Sequence, residues 1–205
     1  MDSKFRFVAL QLCTVLGLVY FLQASTGFNP GFNASASPFY KFFTSVLGHS
    51  GLEHLLNNLF FLGLFGSIYE RYTSGKLFLF TFLVSALLAN ISAFVFFPSS
   101  YIIGASGGAM GVLAALAVYR PKQIGLALGV PLPMWAVFII YTLIQFAGLT
   151  GSTNTAYEAH LLGMVSGGLI GYRLREEDLL SSDGGQDEQD EWRERIREWE
   201  DRWMM

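Results

Sequence analysis

Apolar residues in this chain are gathered into six long blocks, at about 7–25, 52–70, 77–97, 105–119, 132–149 and 156–172, with the polar residues falling mostly between them. Each block has, or approaches, the ~20 residues that a membrane-crossing helix needs. The pattern predicts an all-α, polytopic membrane protein with six crossing helices. The fourth block is the short one: about fifteen residues rising 1.5 Å each reach ~22 Å, against a hydrocarbon layer of ~30 Å. Arg120 and Lys122 fix its far end at one face. Its start is therefore expected below the opposite surface, where irregular backbone requires surrounding protein or a water-filled cavity. The third block is featureless apart from Asn90 and reads as scaffold. Pro131 and Pro133 precede the fifth, so its entry is expected to be bent or unwound, and its bulky Trp135, Phe138 and Tyr141 suit a peripheral position.

Composition agrees with the blocks. At 205 residues, 52% hydrophobic and 14% charged, the chain carries more apolar surface than one water-soluble core of this size can hide. Charge adds an orientation. With six crossings, Lys4, Arg6, Arg71, Lys76, Arg120, Lys122, Arg173 and Arg175 fall on the side of the N-terminus and only Lys41 opposite. Both termini are then cytoplasmic, and the cell membrane is the expected location. The net charge of −3 hides a split, because twelve of the 16 acidic residues follow Arg175. Residues 1–175 are read as the membrane domain and 176–205 as an acidic cytoplasmic tail. In that tail Ser181–Gly185 reads as a flexible linker. Trp192, Ile196, Trp199 and Trp203 then form one narrow apolar stripe, suited to a helix lying on membrane lipid or against a partner. Nothing basic enough for nucleic acid remains. Cys13 is the single cysteine, which excludes an internal disulfide, and no metal-ligand cluster is expected.

Candidate chemistry centres on Gly104-Ala105-Ser106-Gly107-Gly108. Glycines let backbone amides approach another group closely, and the first turn of a helix leaves N–H groups unpaired with partial positive charge. Alone, such a stretch is more often a packing device. A serine needs a base, and His160 near the outer end of the last block is available. Gly163, Gly167 and Gly171 share its helical stripe. Packed against Gly107 and Gly111, they would carry His160 towards Ser106. No acid is placed to orient the imidazole, so a dyad is expected rather than a triad. In the second block His54 and Asn58 are four apart and share one face. They fit either an interhelical hydrogen bond or, with the Ser106 amide, an oxyanion hole. His49 lies just before that helix and could reach over it.

Together, His49-x4-His54-Leu55-x2-Asn58, Gly104-Ala105-Ser106-Gly107 and Ala159-His160-x2-Gly163-x3-Gly167, in this order on the second, fourth and sixth blocks, resemble the rhomboid intramembrane serine proteases. The resemblance runs from about His49 to Gly171. It implies a six-helix bundle with a short fourth helix, Ser106 as nucleophile, His160 as general base, and His54 and Asn58 in the oxyanion hole. His49, Gly104, Gly107, Gly163 and Gly167 would be supporting residues. It further implies single-pass membrane proteins as substrates, cut near their outer ends, with no metal or cofactor. Met110 stands where some relatives have a tyrosine packed on the catalytic ring, and the first external loop lacks the Trp-Arg pair of part of the family. The alternative is an inactive rhomboid-like protein that binds membrane clients without cutting, but such proteins usually lack the serine or the histidine. A transporter fits less well, since no charge lies mid-block and no inverted repeat is visible.

Overall fold

A computed structural model describes residues 6–33, 35–96, 101–149 and 156–203, the side chains of 93, 96, 181–196 and 198–203 excepted. Each apolar block is helical. The first is α1 (Val8–Thr26). A four-residue helix α2 (Lys41–Thr44) runs into a 3₁₀ turn at Ser45–Leu47. The second block forms α3 (Leu52–Phe61), a π-helical turn at Leu62–Gly66 and α4 (Ser67–Tyr72). Then follow α5 (Gly75–Phe96), α6 (Ser106–Tyr119), α7 (Met134–Gly148) and α8 (Tyr157–Trp203). Among the described residues, α1 and the Gly75–Ser92 part of α5 are each long and apolar enough to cross a membrane, while α6 and α7 are shorter apolar helices.

The core is built around α6. Every residue from Gly107 to Ala117 is buried, as is Tyr119, as expected of a helix that is apolar all round. Its neighbours turn apolar side chains outward instead: Leu18 and Phe21 on α1, Phe80 and Leu83 on α5, Leu143 and Phe146 on α7, Val165 and Leu169 on α8. Exposed apolar faces of this extent have no place in water and match a lipid surface.

α6 and α8 meet backbone to backbone. A Cβ at Gly163 would overlap the Gly107 carbonyl, one at Gly167 the Gly111 carbonyl, and one at Gly171 the Ala115 carbonyl. The small-residue stripes expected to face one another do so, four residues at a time, because only glycine leaves room for so close an approach. α5 closes the other side, where Ser166 Oγ donates to Ser85 Oγ at 3.0 Å. At the far end of the bundle Glu70, buried at the end of the second block, accepts the backbone N–H groups of Arg6, Val8 and Ala9 at 3.2, 3.0 and 3.0 Å. Its carboxylate thereby caps α1, whose first N–H groups have no partner within their own helix.

Three expectations need correction. The fold is mostly helical but not all-α: β1 (Ile124–Ala127) and β2 (Val130–Pro133) form an antiparallel hairpin before α7. Leu128 and Gly129 both have positive φ, 51° and 82°, as a tight two-residue hairpin turn demands. Pro131 and Pro133 are tolerated because each strand of a two-stranded ribbon is an edge. Second, Trp135 is exposed, but Phe138 and Tyr141 pack towards the core, Tyr141 edge-on to Phe61 at 4.9 Å. Third, α8 runs unbroken through Ser181–Gly185 to Trp203 where a linker was expected. Two glycines cost ~1 kcal/mol each in a helix, whereas stopping and renucleating is also unfavourable. The loop beginning at Pro98–Ser100 and most of the polar loop between Gly148 and Glu158 lie outside the described residues, as do the side chains of the tail's tryptophan stripe.

Candidate active site

Ser106 opens α6, and the residue two before it sets its surroundings. Gly104 has φ of +134°, a conformation that side chains rarely tolerate. A Cβ there would also sit 2.6 Å from His54 Cε1, 2.8 Å from His54 Nε2 and 3.7 Å from Ser106 Oγ. Both constraints require glycine, and together they show that His54 and Ser106 border one small space. Opposite, His160 in the first turn of α8 is brought to α6 by the Gly163–Gly107 contact described above. Its Nε2 lies 2.7 Å from Ser106 Oγ. Its Nδ1 lies 2.8 Å from Oε1 of Gln145, a buried residue of α7.

The second block supplies the remaining polar groups. The Ser50 backbone N–H points at His54 Nδ1 at 3.4 Å, with Ser50 Oγ at 3.1 Å. A backbone N–H can only donate, so Nδ1 accepts and the ring proton belongs on Nε2, the nitrogen beside Gly104 and Ser106. Asn58 is buried, and its Nδ2 donates to the His54 carbonyl one turn back at 2.9 Å. One of its two amide hydrogens is therefore committed within the helix. His49 is 2% exposed and sits edge-on to His54 with ring centroids 5.1 Å apart. Gln23 of α1 holds the His49 backbone by two hydrogen bonds, at 3.0 and 3.2 Å.

The segment before α3 braces the serine loop. Phe32 and Ile102 exchange backbone hydrogen bonds, and the Gly104 N–H donates to the Ser45 carbonyl at 2.9 Å. Asn90 of α5 donates to Phe42 O at 2.8 Å and Ser45 Oγ at 3.0 Å, tying that segment down. Asn90, read from sequence only as an interruption of scaffold, is thus two hydrogen bonds from the serine loop. Met110 is buried in the core. The aromatic neighbour of His160 is instead Tyr157 of its own helix, edge-on at 6.2 Å. Among the described residues, no group of three or more His, Cys, Asp or Glu could hold a metal. A cavity of about 470 Å³ lined by Tyr72, Arg120, Lys122 and Arg175 among others lies at the other end of α6, remote from Ser106.

Gln145 and Ser50 were missed from the sequence. The signal for Gln145 was there: a lone amide near the outer end of an apolar block, level with His160. Ser50 carried none, since a serine before a helix is ordinary.

A serine hydroxyl thus meets a histidine from another helix, at the head of a buried helix in an apolar bundle. Residues 36–177 match the Rhomboid domain. This chain belongs to the rhomboid family. The rhomboid domain so matched contains Ser106, His160, Gln145, His54 and Asn58, and leaves α1 and the last part of α8 outside it. The chain is also similar to a Bacillus subtilis (strain 168) protein named "Putative rhomboid protease YdcA". They are 30% identical over 161 residues, covering 76% of each. Like other rhomboid proteins, it is a membrane protein.

Proposed function

We propose that this protein is an intramembrane serine endopeptidase that cuts single-pass membrane proteins near the outer ends of their membrane segments. The observation that carries this reading is the 2.7 Å contact between Ser106 Oγ and His160 Nε2, made in a chain similar to one named "Putative rhomboid protease YdcA". His160 Nε2 takes the proton as Ser106 Oγ attacks the scissile carbonyl. The oxyanion that forms is met by the His54 Nε2–H, the Ser106 backbone N–H at the start of α6, and the free amide hydrogen of Asn58. His160 then returns the proton to the leaving amine, and water admitted to the same space hydrolyses the acyl-enzyme with His160 again as base.

Six crossings complete the proposal: α1, the α3–α4 run, α5, α6, α7 and α8 to about Arg175, with both termini cytoplasmic in the cell membrane. In this arrangement α6, fourteen residues long, starts below the outer surface, and water reaches Ser106 through a cavity open to that side. Membrane lipid and the substrate helix are the partners. The test is reconstitution of purified protein with a panel of single-pass substrates, beside a Ser106→Ala variant. Cleavage by the wild type alone supports the reading. Equal cleavage, or none with any substrate while Ser106 also resists a fluorophosphonate, overturns it. No observation favours an inactive client-binding role.

A further inference from the structure

We infer that Gln145 is a positioning residue that selects the tautomer of His160, an inference resting on the proposed role of His160 as base. Neutral imidazole has two tautomers, and only the one with its proton on Nδ1 leaves Nε2 a lone pair for the Ser106 hydroxyl. Gln145 presents Oε1 to Nδ1 at 2.8 Å. A carbonyl oxygen can only accept, so it holds the proton on Nδ1 and turns Nε2 towards Ser106, which lies 2.7 Å away. The three groups come from α7, α8 and α6, and no two are closer than fifteen residues in sequence.

The choice of an amide follows from the surroundings. Gln145 is 5% exposed, on a helix whose other residues are apolar, aromatic or, at Thr142, a hydroxyl. A carboxylate there would carry a desolvation cost of several kcal/mol. A neutral acceptor fixes the tautomer without it. What is given up is the full charge that would stabilise the imidazolium, so the amide acts through tautomer and orientation. Without the acceptor a buried N–H would lose its partner, and the other tautomer, donating from Nε2 to Ser106, would be favoured. His160 could then no longer accept the serine proton.

The test uses the full-length protein in detergent. Ser106 is labelled by a fluorophosphonate: Oγ bonds to phosphorus, fluoride leaves, and His160 takes the proton. Gln145→Met, which keeps the volume and removes the acceptor, is expected to slow the maximal labelling rate roughly 10²-fold, less than the ~10⁴ that loss of the charged acceptor, with the wrong histidine tautomer, costs a charged triad. The probe's half-saturating concentration should not move. Gln145→Glu keeps an acceptor and should recover at least about tenfold over Met, as expected if acceptance at Nδ1 is what matters. The second readout is nitrogen NMR with label in the three histidines: His160 should carry its proton on Nδ1 in the wild type and on Nε2 in Gln145→Met. Wild-type labelling by the Met variant overturns the inference, as does equal slowing of Met and Glu. So does a wild-type His160 in the Nε2–H form, a measurement that needs no variant to fold. A wild type that resists the probe yet shows the Nδ1–H form leaves Gln145 in its role and counts against the protease reading.

Discussion

In the proposed reaction Ser106 and His160 act as one unit, because a serine without its base and a base without its serine are each nearly inert. Ser106→Ala and His160→Ala should each abolish cleavage of a single-pass substrate, and the double variant should lose almost nothing more. Multiplicative losses would argue against shared action. The two candidate oxyanion donors differ. His54 has its donor fixed on Nε2 by Ser50 and aimed into the space beside Gly104, whereas Asn58 has committed one amide hydrogen to its own helix. His54→Ala is therefore expected to cost more than Asn58→Ala. The latter should fall within the ~10²–10³ in rate that one oxyanion donor supplies in a soluble serine protease. Initial rates on one substrate rank them, and an Asn58→Ala variant at the wild-type rate would take that residue out of the hole.

At the scale of elements, two joints hold the site's frame. The first is α6 on α8, where adjacent glycines of α8 make opposite predictions. A Cβ at Gly167 would overlap the Gly111 carbonyl, while one at Gly168 would meet only Val118 Cγ2 at 3.9 Å. Gly167→Ala should lower thermal stability in detergent by about 1–3 kcal/mol, the usual cost of overpacking, and reduce activity by displacing His160. Gly168→Ala should leave both nearly unchanged. Equal effects would show that the backbones are not in contact as described. The second joint is Glu70 on the start of α1. Each buried N–H left unpaired costs ~1–3 kcal/mol, so Glu70→Ala should destabilise by at least about 2 kcal/mol and expose the Arg6–Ala9 segment to proteolysis first. A variant as stable and protease-resistant as the wild type would remove Glu70 as the cap.

For the whole molecule, the remote position of the tail decides the expectation: every group assigned to chemistry lies between Ser50 and His160. Truncation after Gly185 should leave Ser106 labelling in detergent unchanged, with any effect confined to activity in lipid vesicles. A large loss in detergent would show that α8 beyond Gly185 supports the bundle. The sequence by itself determined what depends on pattern along the chain. The six apolar blocks gave the helices, the bracket of glycines around Ser106 and the stripe below His160 gave the α6–α8 contact, and the motif order gave the family. These are legible because helical periodicity and the absence of a Cβ act locally and leave their mark in spacing. Only the tertiary structure decided what each polar group faces. Gln145 meets His160 across fifteen residues of sequence, Ser45 meets Gly104, Asn90 meets Ser45, and Glu70 meets Val8. The hairpin before α7 also appeared only there, since Pro131 and Pro133 read as breakers until the ribbon's free edges are seen. Such pairings carry no spacing signal, because a hydrogen bond between helices depends on how their faces are turned towards each other, and packing sets that.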